Sequence, residues 1–380
     1  MRGMWKRHDR TMNKPSHEQE ADVLVLGAGP AGCAVARALR QAGCARVVLV
    51  DRALQRSFHI GESATPDVSA LLRHLGVIIN GHLLYHGTLS LWGGQERFDD
   101  FLRRGQGPGW HLDRAMFDQQ LRKAVVEAGG EIVNGALCHL ARQDSLWHIG
   151  LGLAGTFRAP VVVDATGRRA TVATRIGARK HKLDGLVGLA VRVEDARGLA
   201  GQTMVESFDQ GWWYAAPRPD GGAIVTLMTD HDLAAAGRFR DQTIFAALWA
   251  QTKLLQNFVE IPEDAEIVTF PAQSGWLDQA AGPGWVAVGD ALLGLDPLTS
   301  SGISNALRDG IAAAQLIMSW RGGADPAEAA RLYAARASHA WQRYQDERHE
   351  RYGWEKRWKD SPFWVRRQAV TQIQAAAQFA

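Results

Sequence analysis

Cysteine is scarce in this chain: there are three, Cys33, Cys44 and Cys138. An odd number with no CxxC pair argues against a disulfide framework or a zinc site and fits a reducing, cytoplasmic setting. Cys33 and Cys44, in a small-residue helix and the turn after it, read as packing residues. Long apolar runs are missing, so no segment reads as a transmembrane helix. Residues 1–20 are polar and lack the apolar core of a signal peptide, so a flexible tail is expected there, with Met12 as an alternative start. Charge of one sign is also lacking. Forty-three Lys and Arg face forty Asp and Glu, and without a concentrated basic stripe this excludes nucleic acid as the expected partner. The thirteen histidines show no facial carboxylate pattern; His82 and His86 read as surface residues, and no metal is expected. There is no internal repeat and no low-complexity tract.

What is present is an ordinary globular balance, 46% apolar and 22% charged over 380 residues, enough for two domains or one composite one. The fourteen tryptophans cluster at 212–213 and 341–364.

The stretch ADVLVLGAGPAGCAVARALRQAGCARVVLVD, residues 21–51, reads as strand, glycine turn, helix and strand. Val23–Leu26 and Val47–Val50 are runs buried on both faces. Gly27, Gly29 and Gly32 supply GxGxxG: a tight turn, room for a pyrophosphate, and close packing of helix on sheet. The helix start adds N–H groups and a positive dipole end. Asp51 closes the second strand, where a carboxylate meets ribose hydroxyls. The full context predicts dinucleotide binding. No second GxGxxG follows, so a nicotinamide has no domain of its own.

Further along, helices are expected near 67–75, over 111–132 from Asp113, and from Ile303 to Met318, where apolar residues share one face. VVVDATG at 161–167 and WVAVGD at 285–290 read as buried strands. Residues 82–104 and 180–275 alternate as an antiparallel sheet would, with a helical insert near 241–258. Residues 326–380 read as wholly helical, broken at Pro362. The fold class expected is α/β: a Rossmann-type dinucleotide-binding domain, an antiparallel β-sheet substrate domain and a C-terminal helical segment. The boundaries are a tail at 1–20, a discontinuous dinucleotide-binding domain (21–80, 105–178, 276–325), a substrate domain (81–104, 179–275) and C-terminal helices (326–380).

Five segments occur together: GAGPAG (27–32), HIGESATP (59–66), LDRAMFD (112–118), VDATGRRA (163–170) and WVAVGDALLGLDPLTSSGI (285–303). The set resembles flavoproteins of the para-hydroxybenzoate hydroxylase type, within the branch of tryptophan halogenases and geranylgeranyl reductases. The resemblance implies FAD, and makes the discontinuous Rossmann-type domain a GR2-like FAD-binding domain. The cofactor-binding residues it implies are Gly27, Gly29, Ala31, Gly32, Asp51, Arg52, Ser63, Arg114, Asp164, Gly167, Asp290, Pro297, Ser301, Gly302 and Ile303. Arg114 would lie near the pyrophosphate and Asp290 near the ribityl chain. Pro297 to Ile303 would lie beside the isoalloxazine, where a helix N-terminus stabilises negative charge.

Halogenases of this branch carry a lysine after the GExxxP segment and a glutamate in the segment corresponding to DPLTSSGI. Here LLYHGTLSLWGG (83–94) has no lysine, and the glutamate position is Thr299, so halogenation is not expected. TMVESFDQGWWYAAPRPDGGAIVTLMTD (203–230) resembles the corresponding part of LodB-like flavoproteins, partners in making tryptophan-derived quinone cofactors. The implied function is FAD-dependent hydroxylation of an aromatic ring, specifically a tryptophan of a partner protein or peptide. O2 is the co-substrate, and NAD(P)H or reduced flavin from a reductase is the electron donor. A geranylgeranyl-reductase-like reductase and a non-catalytic flavin-binding chaperone are the alternatives. Trp92, Trp212, Trp213 and Tyr214 are the candidate substrate residues; alternation sends Trp212 and Tyr214 to one face and Trp213 to the other. The face with the flavin is expected to be opposite the one covered by solvent or C-terminal helices. Glu62, His59 and Glu206 are the candidates for proton handling, with a linking role for Glu62.

Overall fold

The computed structural model describes residues 18–52, 60–196, 198–199 and 201–369; His59 and residues 1–17 fall outside this range. Among the described residues, a six-stranded sheet is built on Val23–Leu26. That strand lies parallel between Val47–Asp51 and Val161–Asp164. Glu131–Asn134 and Trp285–Ala287 extend the parallel array outward, and Ala281–Gly282 pairs antiparallel at one edge. The central strands are Val- and Leu-rich because both of their faces are covered, and every residue of Val23–Leu26 is buried. The helix Pro30–Gln41 follows the glycine turn and lies against the twenty-residue helix Gly302–Arg321. Their approach is close: a Cβ on Gly310 would sit 2.5 Å from that of Ala34. Helix Arg114–Glu127 starts at Asp113, whose side chain accepts from Met116 N, as its sequence predicts.

The second body is a seven-stranded sheet. Its order across the sheet is 268–271, 186–193, 223–230, 211–217, 202–208, 87–92 and 95–100. All but one neighbouring pair are antiparallel, as expected of this body, and the exception lies at the hairpin 87–100. Strand Gln202–Phe208 runs parallel to Gly87–Trp92. The hairpin 87–100 comes from far upstream and joins by its own edge, not by a tight turn.

Two short three-stranded sheets join the two bodies. One brings Ser63–Ala64 and Leu83–Tyr85 onto Gly109–His111; the other brings Lys180–Lys182 and Leu293–Gly294 onto Gly275–Leu277. Gln19–Glu20, expected in the tail, pair in parallel with Phe157–Arg158 instead.

Helix Pro326–Gly353 runs past both bodies, capped by Asp325 and entered at a proline. The C-terminal region is not wholly helical, because residues 354–361 are turn and coil. Pro362 opens the short helix Pro362–Gln368, where its missing N–H costs nothing. Phe363, Trp364 and Arg367 of that helix are buried against the seven-stranded sheet. Among the described residues no helix is long and apolar enough to cross a membrane.

Candidate active site

The glycine turn between the first strand and helix Pro30–Gln41 is shaped by backbone crowding on two sides and openness on the third. Gly27 has φ +115°, and a Cβ there would meet Ala165 O at 2.1 Å. A Cβ on Gly32 would meet Gly27 O at 1.8 Å. Around Gly29, by contrast, nothing lies within 4 Å. Gly29 is the N-cap of the helix, with no side chain satisfying its first N–H groups. An open glycine before an uncapped helix start is a seat for a phosphate. Helix Gly302–Arg321 repeats the arrangement: Ser301 at its N-cap makes no side-chain cap, and nothing lies within 4 Å of Gly302.

The other expected cofactor residues sort by what they touch. Ala31 follows Gly29 into the helix, and its methyl would meet a Cβ added to Gly289 at 2.8 Å. Asp51 is half-buried and pairs with Arg122 at 3.2 Å. Arg52 is exposed. Arg114 donates to Ile60 O at 2.6 Å and Gly61 O at 3.1 Å, and its Nε is buried without a partner. Asp290 is part-exposed beside Arg168, 3.3 Å away. Its carbonyl and that of Ala291 accept from Lys180 Nζ at 2.6 and 2.8 Å. Burial brings the Lys180 ammonium down to about 8, against the pull of Asp290. Asp164 is fully buried and already accepts four bonds, from Thr166 N and Oγ1 and from Val172 N and Ala173 N; it shapes the turn that contains Gly167. Ser63 Oγ is bonded to Tyr214 Oη at 2.7 Å and Thr203 Oγ1 at 3.1 Å, so it faces the second body. Ile303 is buried in the first turn of helix Gly302–Arg321. FAD, implied by the sequence, fits these residues: two uncapped helix starts, two open glycines and an arginine with an unpartnered buried nitrogen.

Between the Pro297–Ser301 segment and the seven-stranded sheet lies a cleft of about 700 Å³, within the ordinary range for ligand sites. Strand alternation decides which side chains reach it. Thr88, Ser90 and Trp92 line it from one strand, Thr203 and Val205 from the next, and Trp212 and Tyr214 from the third. Thr299 and Ser301 face them, hydroxyl to hydroxyl at 2.6 Å. Arg104, Arg308, Arg343 and Arg351 stand among the outer lining residues with the exposed Trp354. Along the strand where related halogenases carry a lysine, this chain presents Thr88, Ser90 and Trp92; no lysine lines the cleft among the described residues.

The alternating neighbours point the other way. Trp213 is fully buried against Phe245 and Trp249 of the helical insert, at 5.0 and 5.2 Å between ring centroids. It does not line the cleft. Glu206 shares that rear face, and its carboxylate accepts from Lys253 N, Leu254 N and Leu255 N at 2.6, 2.9 and 3.1 Å. It anchors the insert and is not placed to handle a substrate proton. The expected division of faces is also corrected: the C-terminal helices pack on the same side as the cleft. Trp212 Nε1 donates to Tyr352 Oη at 3.0 Å, and Trp92 lies against Trp364 at 5.4 Å.

Glu62 does not line the cleft but neighbours Tyr214, which does. It is buried and accepts from Gly61 N at 3.0 Å. Burial raises its carboxyl above the usual range, against the pull of Tyr214, backbone N–H groups and Arg114. Sequence reasoning missed His111, Thr203 and Tyr85. His111 Nε2 is 2.9 Å from Thr203 Oγ1, and Tyr85 stacks on the ring at 4.3 Å. The signal available was position alone: His111 directly precedes LDRAMFD.

The tryptophan halogenase family model matches residues 99–379. The FAD-dependent oxidoreductase LodB of Marinomonas mediterranea is 28% identical over 370 residues, covering 94% of this chain and 99% of its own. A menaquinone reductase of Mycobacterium tuberculosis is 27% identical, covering 80% of this chain and 78% of its own. Among solved structures, QhpG, a peptidyl tryptophan dihydroxylase essential for tryptophylquinone cofactor biogenesis, superposes with a TM-score of 0.79 at 28% identity. The match covers 93% of this chain and 80% of that one. The flavin-dependent halogenase CmlS, 20% identical with a TM-score of 0.81, shares the fold.

Proposed function

The chain belongs to the tryptophan halogenase family and is an FAD-dependent oxidoreductase, and from that premise we propose that it hydroxylates an aromatic ring, a tryptophan presented by a partner protein or peptide. The observation that carries the reading is the cleft wall. Trp92, Trp212 and Tyr214 offer an aromatic surface facing Pro297–Ser301, with no lysine there and Thr299 in place of a glutamate. Without that cation and carboxylate nothing on this wall directs a hypohalous oxidant, so the reading is hydroxylation and not halogenation. The similarity to LodB and to the peptidyl tryptophan dihydroxylase supports a polypeptide substrate. The arginine-lined outer cleft with exposed Trp354 suits a chain reaching in from solvent.

Gly29 and the first helix start would hold the pyrophosphate, Asp51 the ribose, and Gly302 with the second helix start the reduced ring's negative charge. FAD bound there supplies the electrons that activate O2, drawn from NAD(P)H or a separate flavin reductase. The protein's part is to exclude water, hold the indole against the aromatic wall and move a proton.

The test is mass spectrometry after supplying photoreduced, FAD-loaded protein with 18O2 and tryptophan-containing peptides. Incorporation of labelled oxygen into tryptophan is expected. Oxygen consumption with no labelled tryptophan, the physiological partner included, overturns the reading. The menaquinone reductase similarity favours a second reading, reduction of an isoprenoid substrate, which the same preparation tests by anaerobic turnover.

A further inference from the structure

Behind the cleft wall lies a row of buried polar groups with no other occupation. His111, Thr203 and Ser63 are each less than a tenth exposed. They connect in sequence, His111 Nε2 to Thr203 Oγ1 at 2.9 Å, Thr203 Oγ1 to Ser63 Oγ at 3.1 Å, and Ser63 Oγ to Tyr214 Oη at 2.7 Å. The Glu62 carboxylate is the charged neighbour of the Tyr214 hydroxyl, and each shifts the other's titration.

The row has a direction, and His111 sets it. Burial lowers this imidazole to about 3, so it is neutral and carries one N–H. Its Nδ1 is buried with no partner. A proton on Nδ1 would strand a donor in an apolar site, a larger loss than leaving an acceptor lone pair unused. The proton therefore sits on Nε2, and His111 donates to Thr203. Thr203 then donates to Ser63 and Ser63 to Tyr214, since each hydroxyl has one hydrogen to give, and this leaves the Tyr214 hydrogen for the neighbouring carboxylate of Glu62.

We propose that Tyr214 and Glu62 together accept the proton released from the substrate ring, with His111, Thr203 and Ser63 as positioning residues that fix the direction of transfer. This rests on the hydroxylation reading. When the ring carbon gains an oxygen from O2, its C–H bond breaks, the electron pair stays in the ring and H+ must leave. Tyr214, a residue of the cleft lining, takes that proton on its oxygen as its own passes to the Glu62 carboxylate. The proton returns to solvent through the opened cleft when the product departs. Two electrons for the other oxygen atom of O2 come from reduced flavin. Burial, and then Glu62 itself, holds the Tyr214 hydroxyl well above its ordinary range, so a free tyrosinate is not the base and the two transfers are concerted. Glu62 faces Arg114 and Arg218 as well as Tyr214, and Tyr214 faces Tyr85 and Glu62. The arginines favour the carboxylate that starts the step.

The experiment is infrared difference spectroscopy of the FAD-loaded protein across pH, following the protonated-carboxyl band that disappears in E62Q. In Y214F the carboxylate loses its hydroxyl donor, so the midpoint of this band is expected to move upward. In H111F the row loses its first donor and the shift is expected in the same direction but smaller. Catalytically, Y214F and E62Q should each lower oxygen transfer at least tenfold while substrate affinity stays within a few-fold, and the peroxide released per O2 should rise. An unchanged carboxyl midpoint in a folded Y214F protein overturns the proposal, as does wild-type coupling of oxygen transfer in Y214F or E62Q. A shifted midpoint with no labelled tryptophan from any partner would instead leave the hydrogen-bonded row standing and sink hydroxylation as its use.

Discussion

Glu206, in the seven-stranded sheet, and Glu62, just before the joining strand Ser63–Ala64, are both buried carboxylates, and their neighbours give them different work. Glu206 meets three main-chain N–H groups that would otherwise be unsatisfied at the start of residues 253–255. In E206Q one oxygen becomes an amide donor facing those donors. The expected loss is about 1–3 kcal/mol of stability, read by denaturant unfolding, with no change in the pH profile of turnover. From the sequence Glu62 takes a linking role but Glu206 cannot be placed, because an acid on a strand looks the same whether it caps a distant loop or faces a ligand. Glycine was far more legible. Gly27 and Gly32 are crowded by backbone, whereas Gly29 is open. G32A should unfold or lose several kcal/mol in thermal melts, as a clash at 1.8 Å cannot relax. G29A should melt like the parent without cofactor and retain less FAD after gel filtration.

At the scale of elements, the βαβ unit, helix Arg114–Glu127 and the alternation of Trp212, Trp213 and Tyr214 were readable because each follows from local periodicity. The pairing of Gln202–Phe208 with Gly87–Trp92 was not, since nothing in either strand names a partner so far along the chain. The same holds for the ties of the C-terminal helices. Tyr352 Oη donates to Asp296 Oδ2 at 2.7 Å and accepts from Trp212, while Arg348 lies on Asp184 and Asp296. Asp296 accepts from Leu298 N at 2.9 Å, so Tyr352 bears on both walls of the cleft. Y352F leaves the buried Asp296 short of a donor, and a loss of about 1–3 kcal/mol is expected in unfolding experiments, accompanied by a change in the fluorescence of the buried tryptophans.

For the whole molecule, the buried pair between Arg367 and Asp230 closes the C-terminal helix onto the sheet, with side chains at most 2% exposed. R367M leaves the buried Asp230 with Arg366 alone, at 2.9 Å, and should cost less than the about 3–5 kcal/mol of a carboxylate left wholly unpaired. Burial alone would raise the Asp230 carboxyl, but Arg367 and Arg366 outweigh it and the net direction is downward. Arg366 also brings Asp232 down to about 2. Carboxyls held below their unfolded value stabilise the fold fully above about pH 4, near the unfolded value. That contribution fades as pH falls from there toward 2. Acid titration of the melting temperature should show this loss, and D230N should flatten part of it.

The parallel seam between residues 87–92 and 202–208 also bears on how the chain is made. A ribosome delivers the hairpin 87–100 long before the strand it must join, and the strand Trp285–Ala287 and helix Gly302–Arg321 of the first body emerge later still. Neither body can close during the first half of synthesis, so apolar strand edges wait uncovered. The nascent protein is therefore expected to depend on holding factors until its last third has been translated.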